Sequence, residues 1–122
     1  MYIKSYKELI VWQKSVFLVK EIFILTKHFP QSEIYGITSQ MRRAVVSIPS
    51  NIAEGYGRKS TKAYAQFYAI AYGSALELET QLIIAKELKL TSRELSKKVE
   101  ELLVEVLKML NSMLTKMRKT GN

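Results

Sequence analysis

The chain has few places to turn. Its only prolines are Pro30 and Pro49, and its five glycines are Gly36, Gly55, Gly57, Gly73 and Gly121. Between them run long stretches rich in Leu, Ala, Glu and Lys, residues that lose little on entering a helix. The spacing predicts an all-α chain of four helices. Ser5 followed by Glu8 matches a capping box, so the first helix is expected over about 6–28. Phe29-Pro30-Gln31-Ser32 stops it, because proline disfavours helix in the residue before it. The second is expected over about 33–56 with Pro49 inside. There the ring removes a donor and crowds the carbonyl of Val45. Either a kink over 45–49 or a break with Pro49 opening a new helix would follow. Gly55, Gly57 and Ser60 mark the next boundary, with Ser60 as N-cap. The third helix is expected over about 61–90. Thr91 with Glu94 reads as a second capping box, opening a fourth over about 92–118. Connections this short make successive helices antiparallel neighbours. The expected architecture is one up-down-up-down four-helix bundle over residues 1–122, with 120–122 as a frayed tail.

Two helices carry more apolar surface than one core needs. On the first, the columns Leu9/Val16/Phe23, Val11/Leu18/Leu25 and Trp12/Val19/Thr26 cover one side, and Ile10/Phe17/Ile24 lies between polar columns on the other. A bundle core needs about three apolar positions in seven. The extra column points to Ile10, Phe17 and Ile24 as a subunit interface; the plainer reading is an unusually apolar outer face. On the third helix, Ala65, Ala69 and Gly73 form a small-residue ridge, and Phe67, Ile70, Ser74, Leu78, Gln81 and Ile84 or Ala85 read as a core-like face. Tyr64, Tyr68 and Tyr72 form an aromatic stripe. Stacking on nucleic-acid bases is one use for it. Packing at a helix or subunit interface is the better fit, because no cation falls between Lys62 and Lys86. The fourth helix is conventional, with an apolar face from Leu95 to Met117.

The inventory argues against catalysis. The 122 residues hold no Cys, no Asp and one His, His28. That removes thiolate metal sites, cysteine nucleophiles and multi-histidine centres. The Glu-x-x-His pairs of bundle di-iron proteins are missing, and Gly55-Tyr56-Gly57 lacks the context of a phosphate loop. A nuclease built on Glu54 and Glu79 with a divalent ion is conceivable, with nothing further to support it. His28 reads as a dipole partner at a helix end. A non-enzymatic protein without cofactor or metal is expected, placed in the cytoplasm and not in a membrane. The formal charge is +8, which favours anionic partners. Arg42, Arg43, Arg58, Lys59 and Lys62 lie along the second helix and its exit, and Lys116, Arg118 and Lys119 at the C-terminal end. Both groups are candidate nucleic-acid contacts, and both also read as solvated surface.

The second helix holds the most distinctive string. It runs Tyr35-Gly36-Ile37-Thr38-Ser39-Gln40-Met41-Arg42-Arg43, then Ser47-Ile48-Pro49-Ser50-Asn51-Ile52-Ala53-Glu54-Gly55. Asn51 and Glu54 share a face, and if it is buried the carboxylate needs a partner. Glu79 is a second buried-acid candidate, so Asn51, Glu54 and Glu79 are expected to form a structural polar motif. With Leu9-Ile10-Val11-Trp12-Gln13, Gly73-Ser74, Glu77-Leu78-Glu79-Thr80-Gln81-Leu82 and Ala85-Lys86-Glu87-Leu88, these strings resemble the four helix bundle protein family, also called the 23S ribosomal-RNA intervening-sequence protein family. The likeness runs from about Tyr6 to Met117. Lys89-Leu90-Thr91 departs from it, since members more often carry a glycine in that turn. The resemblance implies a homopentameric bundle, and kinship with the basic, nucleic-acid-binding accessory protein of diversity-generating retroelements. Five copies at +8 would carry +40, a strong field for a phosphate backbone. The expected function is oligomeric nucleic-acid binding, RNA favoured; the alternative is a scaffold for a protein partner such as a reverse transcriptase.

Overall fold

The structure is a computed structural model and describes residues 4–120. It contains four α-helices: α1 Ile10–Thr26, α2 Ile37–Tyr56, α3 Thr61–Glu87 and α4 Arg93–Thr120. Short 3-10 turns, Tyr6–Glu8 and Gln31–Glu33, precede α1 and α2. No strand occurs among the described residues. α1 packs on α2 and α4, α2 on α3, and α3 on α4, so each helix has two neighbours around one core.

Local chemistry explains most of the helix ends. The Ser5–Glu8 capping box is present, with the Lys7 N–H donating to Ser5 Oγ and the Ser5 N–H to the Glu8 carboxylate. It caps the 3-10 turn, however, because Leu9 is extended and α1 starts only at Ile10. α1 stops at Thr26, two residues short of the expected end, and α2 starts at Ile37, after the Gln31–Glu33 turn. Ser60 caps α3 by accepting from the Ala63 N–H. The cap of α4 is Ser92, whose Oγ accepts from the Leu95 N–H, and not Thr91. Thr91 Oγ1 is instead buried without a partner. α3 ends at Glu87 and not at Leu90. Lys89 takes a left-handed conformation (φ 59°) while its N–H donates to Lys86 O and the Leu90 N–H to Ala85 O. That is the Schellman ending usually given to glycine. The helix closes here on a lysine at the turn where the family resemblance leads one to expect glycine. α4 extends through Thr120, and Gly121 and Asn122 of the expected tail lie outside the described residues.

Pro49 neither breaks nor ends α2, which runs through it. Nearby carbonyls receive side-chain donors: Ser50 Oγ to Val46 O and Asn51 Nδ2 to Ser47 O, both at 2.8 Å. Pro49 itself is buried, so its ring serves as core surface.

The core is a stack of stripes spaced three and four residues apart. Val11, Leu18, Ile22 and Leu25 come from α1, and Met41, Val45, Ile48 and Ile52 from α2. From α3 come Tyr68, Ala71, Ala75, Leu78 and Leu82, and from α4 Val99, Leu103, Val106, Leu110 and Leu114. The stripe on α3 is rotated from the expected one. Leu78, Gln81 and Ala85 are inside, but Ile70 and Ile84 are exposed, and Phe67 and Ser74 lie at the edge. On α4 the one misplaced residue is Leu95, which is exposed.

α2 and α3 approach each other closely at Gly55. A Cβ built there would sit 2.9 Å from two ring carbons of Tyr68 and 3.0 Å from Phe67 Cβ. No side chain fits without moving the Tyr68 ring, which is fully buried. Tyr68 is therefore a core residue of its own chain and not a subunit-interface residue. Its ring stacks on Tyr64 with centroids 4.6 Å apart, and the two hydroxyls are 3.2 Å apart. Burial first, and then the Tyr64 hydroxyl, push the Tyr68 phenol well above the ordinary tyrosine range.

Two predictions follow from this contact. Gly55→Ala should lower unfolding free energy by about 2 kcal/mol through overpacking; urea melts measure it. The second concerns alkaline pH. The unfolded chain releases the Tyr68 proton near pH ~10, while the native state holds it to higher pH. Stability present below that point should fall above it, by up to ~1.4 kcal/mol per pH unit. Melts of the native chain against Tyr68→Phe over that range should show the extra slope only in the native chain.

Candidate nucleic-acid interface

One end of the bundle collects four segments. The Tyr6 ring meets the rings of Trp12 and Tyr56, with centroids 5.3 and 6.5 Å away, tying the start of the chain to the end of α2. Gly55 meets Phe67 and Tyr68 near the start of α3. Thr61 and Lys62 line one groove with Met117 and Arg118 of α4. Arg58, Lys59 and Tyr64 line another with Met117. The end thus carries Lys4, Lys7, Arg58, Lys59, Lys62, Lys116, Arg118 and Lys119 against Glu8 and Glu54. Eight cations less two acids leave +6 of the chain's +8 at this end.

The opposite end is nearly neutral. Over that half of the bundle Lys20, Lys27, Arg42, Arg43, Lys86, Lys89, Arg93, Lys97 and Lys98 accompany Glu21, Glu33, Glu77, Glu79, Glu87, Glu94, Glu100 and Glu101, and nine cations less eight acids leave +1. Ion pairs hold opposite charges together, Lys98 with Glu21 at 3.7 Å and Lys86 with Glu100 in that half and Lys14 with Glu105 at 2.9 Å nearer the middle.

The expected cationic clusters are therefore regrouped. The exit of α2 and the end of α4, separate in sequence, form one site. Arg42 and Arg43 do not belong to it. Arg42 lies sixteen positions before Arg58, or roughly 24 Å along a helix axis. Its Nε donates to Thr26 Oγ1 at 2.9 Å and its guanidinium lies 4.8 Å from the Phe23 ring centre, so Arg42 joins α2 to α1. Arg43 is exposed beside it in sequence. Arg58 is at the site but engaged, bonded to Glu54 at 3.1 Å and stacked 4.5 Å over Phe67. Lys59, Lys62, Arg118 and Lys119 are exposed. Lys4 and Lys7 were missed, because only the folded Tyr6–Tyr56 contact brings them here.

The polar motif does not assemble. Asn51 donates to Ser47 O and Ser47 Oγ, and Ser47 Oγ lies 2.9 Å from Ser74 Oγ across the α2–α3 seam. Glu54 is exposed rather than buried and pairs with Arg58. Glu79 is half-buried in a different groove, between α3 and α4, with Glu100. The two carboxylates proposed for a nuclease thus face separate grooves. Among the described residues, no group of three or more His or Glu gathers in a way that could hold a metal.

The apolar surplus lies where the α1 wheel places it. Ile10, Phe17 and Ile24 are 59%, 45% and 47% exposed. Tyr64 and Tyr72 are half-buried. The small-residue ridge of α3 faces outward: Gly73 has open space around it, while Ala65 and Ala69 floor the groove next to Lys62. His28 is exposed beyond the end of α1. No described helix is long and apolar enough to cross a membrane.

These features define a four-helix bundle with one strongly basic end and uncovered apolar faces. A family model described as 23S rRNA-intervening sequence protein matches residues 7–112. The chain belongs to that family. No curated protein matches it. A crystal structure of a protein of unknown function from the S23 ribosomal protein family of Bacteroides thetaiotaomicron is similar, with a TM-score of 0.80 and 24% sequence identity. The match covers 86% of this chain and 98% of that one, and it shows the shared fold.

Proposed function

We propose that this chain is a non-enzymatic nucleic-acid-binding protein of the cytoplasm, with RNA the favoured ligand, which meets the phosphate backbone with its basic end. The observation that carries the reading is the +6 gathered from three chain stretches (4–8, 54–62 and 116–119) at one end, against +1 at the other. A field of that kind attracts polyanions and weakens steeply with salt. Nothing in the cluster resembles a base-reading motif, so recognition rests on charge and shape.

The bundle is read as antiparallel, up-down-up-down. Contact registers support this: Ser47 meets Ser74 while Gly55 meets Tyr68, and Lys14 meets Glu105 while Glu21 meets Lys98. Dipoles of alternating direction then oppose one another at each end, and side chains set the field. The assembly is read as a homopentamer. Supporting it are exposed apolar residues on two helices that do not pack on each other: Ile10, Phe17 and Ile24 on α1, and Ile70 and Ile84 on one flank of α3. Two different faces allow head-to-tail contacts, which close into rings. A ring would set five basic ends side by side.

The exposed α1 column favours a second reading, in which the protein is a scaffold for a partner such as a reverse transcriptase. Salt dependence and charge reversal separate the two. RNA and DNA affinity should fall about a hundredfold from about 50 to about 200 mM salt. The combined variant Lys59→Glu, Lys62→Glu, Lys119→Glu should weaken binding about a hundredfold at low salt. Lys27→Glu, Lys89→Glu, Lys97→Glu, with the same change in net charge at the other end, should cost less than about threefold. Equal losses would contradict a localised site. Salt-independent affinity would contradict electrostatic binding and leave the scaffold reading.

A further inference from the structure

The two grooves beside the start of α3 share Thr61 and Met117 as walls and form one trough. We propose that this trough takes unpaired nucleotides, with bases against its apolar floor and phosphates on the cations at its rim. The inference rests on the nucleic-acid reading and specifies the form of the ligand.

Charge alone would serve any polyanion. A duplex presents phosphates and hides the faces of its bases, so a duplex site needs cations and no apolar floor. This trough has both. Its larger part, about 300 Å³, is floored by Ala65, Ala69, Leu114 and Met117, with Lys62 and Arg118 beside them. Its smaller part, about 260 Å³, sets Tyr64 beside Arg58 and Lys59. No acid lines either part. Apolar surface alternating with cations is how single strands are held without sequence preference.

Tyr64 is the pivotal residue. In sequence it lies within the cation-free stretch between Lys62 and Lys86, which argues against base stacking. Folding brings Arg58 and Lys59 to the same groove wall. The ring is stacked on the buried Tyr68 at an interplanar angle of 18°, which fixes its plane. It remains half-buried rather than covered. A ring held by its own core on one side, and flanked by cations, is a preorganised platform for a base.

The test uses two labelled probes at matched salt: a uridine homopolymer of about 15 nucleotides, and a blunt RNA duplex of the same length. The native chain should bind the single strand about tenfold more tightly. Ala69→Leu, which fills the floor without changing charge, should remove that preference and leave duplex affinity unchanged. Tyr64→Leu should weaken single-strand binding by about tenfold, with a thermal melt confirming that the variant folds. Equal affinity for the two probes, or an unaffected single strand in Ala69→Leu, overturns the trough while the basic-end reading stands. Binding of neither probe overturns both. Native mass measurement accompanies Ala69→Leu; loss of assembly there would assign the groove to a subunit contact and overturn the trough.

Discussion

The fit of Gly55 against Tyr68 is the contact on which the arrangement depends. A hydrogen in place of a side chain lets the last turn of α2 lie against the Tyr68 ring. Pairing of α2 with α3 is the most extensive in the bundle. The Ser47–Ser74 hydrogen bond continues the same seam towards the middle. The fully buried Tyr68 then holds Tyr64 by ring stacking and by the hydroxyl contact. Because α2 ends there, the turn carrying Arg58 and Lys59 is delivered to the start of α3. The position of the cations thus follows from a packing constraint.

Charge on this protein is organised by cancellation as much as by clustering. Exposed ion pairs add little stability. Those linking α1 to α4 and α3 to α4 nevertheless remove field from the sides and from the far end. The end bearing Lys59, Lys62, Arg118 and Lys119 has only Glu8 and Glu54 to offset it, and Glu54 is matched with Arg58. An excess that is modest over the whole chain becomes strong in one place. Should five copies stand in a ring, those places would add.

Much of the fold was legible because breakers are scarce. The boundary at Ser60 and the Ser5–Glu8 box were visible as residue patterns with local mechanisms. Choosing between Thr91 and Ser92 was harder: both carry hydroxyls, and backbone geometry selects the cap. The rotation of the α3 stripe escaped prediction because alanines fill much of its core face and isoleucines much of its outer face. The site was legible only in pieces. Its cations come from three separate stretches of chain, and contacts such as Tyr6–Tyr56 have no local signature. Arg42 looked like a ligand contact because a sequence does not show that Thr26 and Phe23 sit beneath it. Glu54 looked buried because its neighbours are small; its side chain points to Arg58 and water.

On the proposed reading, polyanions meet the end where α2 and α4 finish and α3 begins. Lysine acetylation followed by mass spectrometry, with and without saturating single-stranded RNA, tests it residue by residue. Lys59, Lys62 and Lys119, with Lys7 beside them, should be protected, and Lys27, Lys89 and Lys97 should keep their reactivity. Protection spread evenly over the surface, or concentrated at Lys27, Lys89 and Lys97, would contradict it.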